Sequence, residues 1–153
     1  MEKTPESVRL AKVYSTEMDA LKDYIEALYR HDKDFDCLIH IEDGVKSLLR
    51  NESLATPYFI RRSDERIGYV ILTRYHSVEK GGLTIYIDEL YVEDRFRRLG
   101  VGKEIMNEIL SIARAQGAKT LWAQSETHNL PAQAFFTSQG FRVDPMINFE
   151  RPL

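Results

Sequence analysis

The segment at residues 97–103 combines two glycines with a local excess of positive charge. It reads Arg-Arg-Leu-Gly-Val-Gly-Lys, with Gly100 and Gly102 at its centre and a further arginine at position 95. Glycines let backbone amides crowd together without a Cβ, and the first N–H groups of a helix lack intrahelical partners and carry partial positive charge. Such a turn at the start of a helix is suited to binding phosphate oxygens.

The spacing excludes two common nucleotide-binding loops. The dinucleotide fingerprint requires a third glycine at position 105, which is Ile105. A Walker A loop requires glycine at position 97 and Ser or Thr after the lysine, where this chain has Arg97 and Glu104. What remains is Arg-x-x-Gly-x-Gly between a predicted strand and a predicted helix. Taken alone, this pattern also fits an ordinary turn with a solvated basic flank.

A second block of similar interest lies downstream. Asn129 follows a predicted strand, a short helical stretch carries alanines with Phe135 and Phe136, and Gly140-Phe141 come next. Together the two blocks resemble the coenzyme-binding signature of the GNAT superfamily of N-acetyltransferases, in the family's order and at its usual separation. The resemblance covers residues 83–141, a little over a third of the chain.

This resemblance implies a fold, a co-substrate and a set of binding residues. The fold is α/β (α+β), the GNAT fold, with a central mixed, mostly antiparallel twisted sheet of roughly six or seven strands flanked by about four helices. The co-substrate is acetyl-CoA, whose pyrophosphate would lie on the loop and whose pantetheine would lie in a gap opened by a bulge in the strand at residues 83–92. The residues expected to contact it are Leu90, Tyr91, Val92, Arg97, Arg98, Leu99, Gly100, Val101, Gly102, Lys103, Asn129 and Phe135.

Two adjacent carboxylates, Glu89 and Asp88, are the predicted catalytic residues. They stand in the same strand, shortly before the loop. Neighbouring strand residues face opposite sides, so at most one faces the acceptor site unless a bulge intervenes. A carboxylate there can take the proton of an amine, directly or through water, and can attract an ammonium group. The order aromatic–apolar–acid–acid is similar to that in spermidine/spermine acetyltransferases. A solvated acidic pair, or a salt bridge to nearby arginines, is the alternative.

One position departs from the family pattern. Many family members carry a tyrosine where this chain has Phe136, and that tyrosine protonates the leaving thiolate. Phe136 has no hydroxyl, so three readings are open. The thiolate leaves unaided, since a free thiol pKa of about 8.5 is not far from neutral pH. Another donor, such as Tyr91, Tyr75 or His128, approaches instead. Or the protein binds acyl-CoA without efficient catalysis.

Composition limits the alternatives. The chain has 153 residues, a net charge of −3, 43% hydrophobic residues and a single cysteine. These values predict one globular domain over residues 1–153, in a reducing cytoplasm, with no nucleic-acid partner. No apolar run approaches a membrane span, so no membrane is expected. The histidines and the lone Cys37 lack metal-site spacing, so no metal is expected. A homodimer is compatible with the family resemblance.

Hydrophobic periodicity places these residues on an alternating series of elements. Strands are predicted at residues 8–14, 58–62, 67–75, 83–92 and 120–124, with a terminal pair at 141–143 and 146–149. Helices are predicted at residues 15–30, 42–50 and 101–116, and a last one after Asn129. The strand at 83–92 and the helices that begin near Val101 and Asn129 would therefore position the site.

Two function classes follow. The first is an N-acetyltransferase acting on a primary amine of a small molecule, such as a polyamine, an aminoglycoside-like compound or an amino-acid derivative, with a protein or peptide amine as a variant. The second is a catalytically weak acyl-CoA-binding regulatory domain, which the phenylalanine at position 136 motivates.

Overall fold

The computed structural model describes residues 7–153, and within that range it contains five strands and four α-helices. The strands are β1 (Val8–Lys12), β2 (Ala55–Arg62), β3 (Glu65–Ser77), β4 (Gly82–Val92) and β5 (Thr120–Ala123). The α-helices are α1 (Met18–His31), α2 (Ile41–Arg50), α3 (Val101–Ala115) and α4 (Leu130–Ser138). Short 3₁₀ turns at Ser15–Glu17, Phe35–His40 and Asp94–Phe96 complete the order.

The five strands form one sheet in the order β1-β2-β3-β4-β5. The first four pair antiparallel, and β4 pairs with β5 in parallel. The parallel step follows from the long connection through α3, because parallel neighbours require a crossover whereas antiparallel neighbours need only short turns. The prediction of a mixed, mostly antiparallel sheet with four flanking helices is confirmed.

The predicted terminal pair of strands does not form at residues 141–149, and within residues 7–153 the sheet has five strands instead of the predicted six or seven. Residues 141–153 contain no regular secondary structure, and Val143, Ile147 and Phe149 are exposed. Alternation of apolar and polar residues defines a strand only where a neighbouring strand accepts its hydrogen bonds. In the described residues the segment pairs with no strand, and Pro145 has no N–H to donate.

Each face of the sheet is covered by helices whose apolar residues recur at helical spacing. On α3, the buried positions Val101, Ile105, Ile109 and Ala113 follow one another at intervals of four and pack on one face. Leu21 and Ile25 of α1 and Val45 of α2 are buried against the other face. Full burial of such a side chain stabilises the fold by about 1.5–3 kcal/mol. The sheet is thus held between α3 and the α1–α2 pair.

Helix α3 also protects the first edge of the sheet. The carboxylate of Glu104 accepts a hydrogen bond from the backbone N–H of Val8 at 3.1 Å, and Glu108 accepts one from Leu10 at 3.2 Å. Edge strands present unpaired N–H groups that invite pairing with other chains, and these two glutamates occupy them. The helix that begins at the glycine loop is therefore anchored along its length.

Candidate active site

A β-bulge interrupts the pairing of β4 with β3 at the two predicted catalytic carboxylates. Leu72 of β3 pairs with Ile87 of β4. The preceding β3 residue, Ile71, pairs with Glu89, so Asp88 is inserted without a partner. A bulge changes which face of the sheet the following side chains occupy. Because of this bulge, Asp88 and Glu89 can both reach the same side of the sheet.

Both carboxylates line one cavity of about 250 Å³ between the sheet and the helices. Ile25 of α1 and the α2 residues Val45 and Leu48 contribute to its apolar lining, and Asp88 and Glu89 contribute its carboxylates from β4. Tyr29 lies in this cavity, whereas Tyr24 and Phe35 are not in its lining.

The carboxylate oxygens of Asp88 accept no hydrogen bond from the described residues. Its side chain is exposed, and it has no hydrogen bond or ion pair to any other described residue. The surrounding protein atoms nevertheless displace much of its water, and this desolvation raises the pKa of Asp88 above the ordinary value of an aspartate. A free carboxylate with a raised pKa is suited to accept a proton near neutral pH.

Glu89 is held by two tyrosines. Its Oε1 accepts a hydrogen bond from the hydroxyl of Tyr29 at 2.6 Å, and its Oε2 accepts one from Tyr69 at 2.7 Å. Desolvation by burial raises the pKa of Glu89, and the two hydrogen bonds oppose that rise. Burial also raises the pKa values of Tyr29 and Tyr69, so both hydroxyls stay protonated as donors. Glu89 is therefore a carboxylate held in a fixed position beside Asp88.

Replacing Tyr69→Phe should destabilise the protein in a pH-dependent way. The change removes one of the two donors to the Glu89 carboxylate, and hydrogen bonds to charged groups contribute about 1.5–3 kcal/mol. Because the bond favours the ionised form, the difference from the parent protein should shrink as the pH falls through the Glu89 pKa. Urea unfolding at several pH values measures this difference.

The matched control is Tyr58→Phe, which also removes one hydroxyl. That hydroxyl donates no hydrogen bond within residues 7–153. Its loss should change the free energy of unfolding by less than about 0.5 kcal/mol. Equal losses in the two variants at every pH would contradict the assignment of Tyr69 as a support for Glu89.

The gap expected beside β4 is also present. Strand β5 pairs with β4 only from Thr84↔Thr120 to Ile87↔Ala123. The remaining part of β4, from the bulge to Val92, therefore has no neighbour on its β5 side in the described chain. An extended ligand can hydrogen-bond to such an open strand edge in the way an added strand does. Leu90, Tyr91 and Val92 lie in this part of β4.

The glycine loop contains two residues in the left-handed region. Arg98 has φ +60° and Gly100 has φ +80°. A non-glycine residue in this region is uncommon, and such residues cluster at functional sites. The backbone N–H groups of residues 98–103 donate no hydrogen bond to other parts of the described chain. Leu99, Gly100 and Lys103 are exposed. The loop therefore offers unpaired donors at the start of α3, as an anion site requires.

Arg97 is engaged within the protein. Its Nε donates to the backbone oxygen of Val92 at 2.7 Å, and its guanidinium forms an ion pair with Asp94 at 2.8 Å. The same group lies 2.9 Å from Nε2 of His31 and 5.4 Å from the ring centroid of Tyr91. These contacts connect the loop to β4 and to the end of α1. Arg98 and Lys103, in contrast, have no ion pair within the described chain.

The second block lies against the loop. A Cβ added to Gly102 would come within 2.7 Å of Cε2 of Phe135, so the absence of a side chain lets α4 approach the start of α3. Asn129 begins α4, and its Oδ1 accepts a hydrogen bond from the backbone N–H of Ala132 at 3.1 Å. The structure therefore brings Phe135 to the loop and gives Asn129 a helix-capping contact.

A sequence model of the acetyltransferase (GNAT) family matches residues 12–141, which includes the bulged strand, the loop and the second block. The chain belongs to this family. It is accordingly an acetyl-CoA-dependent N-acetyltransferase, as the sequence predicted.

Three similar proteins indicate the range of the family around this acetyltransferase. The peptidyl-lysine N-acetyltransferase YjaB of Escherichia coli is 25% identical over 138 residues, 90% of this chain and 77% of that protein. The D-amino-acid N-acetyltransferase HPA3 of Saccharomyces cerevisiae is 28% identical over 76 residues, so the match spans 50% of this chain and 45% of the yeast protein. A possible acetyltransferase from Clostridium difficile 630 has the same fold, with a TM-score of 0.82, 19% identity, and coverage of 97% of this chain and 99% of that one.

In this acetyltransferase, the position of the missing tyrosine is filled by an apolar contact. The ring of Phe136 packs against Phe135 and Phe141, with centroid distances of 5.4 and 5.2 Å. Of the other donors considered, Tyr75 packs on Trp122 at 5.8 Å, and Tyr91 packs against aromatic rings near α1. His128 is exposed in the turn before α4.

Residues 7–153 also lack two features that are typical of other classes of protein. No group of three or more His, Cys, Asp or Glu side chains in residues 7–153 is arranged to hold a metal ion. None of the helices in that range is both long enough and apolar enough to cross a membrane.

The sequence did not identify the two tyrosine donors to Glu89, nor Gly44 and Thr73 in the cavity lining. Tyr29 and Tyr69 are 60 and 20 residues from Glu89 in the chain. No local motif connects positions so far apart. One weaker signal was available. Both tyrosines stand in elements with a regular apolar pattern, which predicts that they are buried, and a buried hydroxyl needs a hydrogen-bond partner.

Proposed function

We propose that this acetyltransferase transfers the acetyl group of acetyl-CoA to a primary amine of a small molecule. The observation that carries the proposal is the bulge at Asp88, which brings two carboxylates to one cavity beside the open edge of β4. An acceptor amine in the cavity and a thioester along that edge would meet at the bulge. Polyamines, aminoglycoside-like compounds and amino-acid derivatives are the acceptor types considered from the sequence.

The coenzyme would be held by the main chain of the loop. Its pyrophosphate accepts hydrogen bonds from the free N–H groups of residues 98–103, and Arg98 and Lys103 add positive charge. Arg97 acts as a positioning residue, because its guanidinium fixes the loop to the Val92 carbonyl. Phe135 packs at the start of α3, beside the bound coenzyme.

The transfer step uses Asp88 as the proton acceptor. The amine nitrogen attacks the thioester carbon, and its proton passes to Asp88 directly or through a water molecule. A backbone N–H of β4 near Leu90 stabilises the oxyanion of the tetrahedral intermediate. The C–S bond then breaks and coenzyme A leaves as the thiolate. It departs without a side-chain acid at position 136, and solvent protonates it afterwards.

The small size of the cavity favours a small molecule over a protein acceptor. The carboxylates lie between the sheet and the α1–α2 pair, in a space that matches a compact amine without an attached polypeptide chain. The similarity to a peptidyl-lysine N-acetyltransferase keeps peptides among the acceptors to be tested.

Two measurements test the proposal. Calorimetry should show acetyl-CoA binding by the purified protein, and a thiol reagent should show release of coenzyme A that depends on a primary amine. Mass spectrometry then identifies the acetylated product. Coenzyme binding without turnover on any amine would contradict the proposed reaction, and turnover only on a protein or peptide amine would contradict the small-molecule acceptor.

A further inference from the structure

We infer, on the basis of the proposed function, that the acceptor is a compact amine with one positive charge and an apolar body, such as a branched alkylamine or an arylalkylamine. Such an amine matches the cavity that Asp88 and Glu89 line in its size, in the kinds of residue that form the lining and in the position of its charges.

The size of the cavity limits the acceptor first. Its volume of about 250 Å³ is below the range of roughly 300–1,000 Å³ that drug-sized ligands occupy. An aminoglycoside has several rings, so most of it would have to lie outside this space. An amine with one small ring or one branched chain fits within it.

The lining limits the charge of the acceptor. Apart from the two carboxylates on β4, aliphatic side chains such as Ile25, Ile41 and Leu48 form the larger part of the lining. Its remaining polar side chains are those of Tyr29, Cys37, His40 and Thr73. One ammonium group can pair with Asp88, whereas both oxygens of Glu89 already accept hydrogen bonds from tyrosines. The further ammonium groups of a polyamine would therefore lie among these aliphatic groups without a free carboxylate, and an unpaired charge in an apolar setting is strongly unfavourable. An apolar body gains from the same contacts.

A larger groove on the same side of the protein lacks the features of an acceptor site. It has a volume of about 690 Å³ and lies beside Tyr24 and Glu93. Glu93 accepts a hydrogen bond from Tyr24 at 2.7 Å and pairs with Arg95 at 2.9 Å. Arg95 also pairs with Glu65 at 2.6 Å. Arg66 and Asp94 of the groove are also paired within the protein, and Asp23 is its one charged lining residue without an ion pair among the described residues. None of its carboxylates lies at the bulge of β4, where Asp88 lies.

Gly44 provides a direct way to fill the cavity. It lies on α2 and lines the cavity, and an added Cβ would meet nothing within 4 Å. Its φ is outside the left-handed region, and replacing a helical glycine favours the helix. Gly44→Leu should therefore fold and occupy the acceptor space. The matched control is Lys46→Leu on the exposed face of α2, where the lost contact is one surface ion pair with Glu42.

The experiment compares acceptors and variants in the thiol-release assay. The probes are 2-phenylethylamine, 3-methylbutylamine, spermidine, kanamycin and a short lysine peptide. We expect kcat/KM for at least one of the two apolar amines to exceed that for spermidine, kanamycin and the peptide by about 100-fold or more. The latter three probes would leave charged or polar groups unpaired in the cavity. Gly44→Leu should raise KM for the preferred amine by at least about 10-fold. Coenzyme affinity should not change, and Lys46→Leu should behave like the parent protein.

The outcomes separate this inference from the proposed function. Preferred acetylation of spermidine, kanamycin or the peptide would overturn the apolar acceptor class. If the preferred acceptor is spermidine or kanamycin, the proposed acetyl transfer to a small molecule still holds. An unchanged KM in Gly44→Leu would overturn the assignment of this cavity as the acceptor site. Absence of turnover with all five probes, despite coenzyme binding, would overturn both.

Discussion

Asp88→Asn should reduce kcat/KM by about 10²–10⁴-fold, the usual contribution of a general base. The amide has nearly the shape of the carboxylate but cannot accept the proton of the amine. Because Asp88 is the inserted residue of the bulge and pairs with no residue of β3, the substitution leaves the strand register in place. Steady-state kinetics with a preferred amine, together with coenzyme titration, measures the effect. Coenzyme affinity should match that of the parent protein.

The pH dependence of Asp88→Asn gives a second test. Desolvation raises the pKa of Asp88, so in the parent protein the acid limb of kcat/KM should lie at higher pH than the ordinary aspartate value near 3.8. Activity rises with pH through that limb, because the base acts when deprotonated. The variant should lose this limb and keep only the smaller dependence contributed by Glu89.

Stability separates this loss of activity from unfolding. A carboxylate whose folded pKa is raised contributes stability below its unfolded pKa and loses it as the pH rises through the folded pKa. Above its raised pKa the ionised Asp88 therefore disfavours the folded state, and at such pH values Asp88→Asn should be at least as stable as the parent protein. Asp64→Asn, in the turn between β2 and β3, is the control for loss of one negative charge. Equal activity in Asp88→Asn and the parent protein would exclude Asp88 as the base.

Gly100→Asp should weaken coenzyme binding by about 10²–10³-fold. The new carboxylate would stand at the start of α3, among the N–H groups that the pyrophosphate needs. Two like charges about 4 Å apart near a protein surface repel by roughly 4 kcal/mol, which corresponds to this loss of affinity. Calorimetric titration with coenzyme A measures it directly, without any acceptor amine.

Gly100→Asn is the matched control for the effect of charge. Asparagine and aspartate both tolerate the left-handed conformation that position 100 requires, with φ +80°. The two variants therefore share the same backbone demand and nearly the same side-chain shape. The asparagine variant should retain most of its coenzyme affinity. Equal affinities in the aspartate and asparagine variants would show that no anion binds at these amides.

The elements that position the coenzyme loop could be predicted because their signals are local. Helix α3 buries residues at regular intervals of four and starts at a glycine, so both its face and its beginning are visible in the sequence. The strand before it was predicted within one residue, as β4 begins at Gly82 and ends at Val92. The resemblance to the GNAT superfamily rested on the same local stretches, and the family assignment is confirmed.

The geometry of the acceptor site could not be predicted because it depends on pairing between distant segments. The bulge exists only relative to β3, since it is defined by the shift between Ile71 and Leu72. The tyrosine support of Glu89 likewise comes from α1 and β3. The terminal strands were wrongly predicted for the same reason, because alternation was read at residues 141–149 without a partner strand.

The extra residue in β4 is free to change its chemistry without disturbing the fold. At most catalytic positions these two requirements conflict. Position 88 makes no ladder contact with β3 that a different side chain would break. Chemistry at this point can therefore be exchanged, from acid to amide to imidazole, while the framework around it stays intact. A library varied only at this position, screened against many amines, would alter reactivity and acceptor preference at little risk to folding.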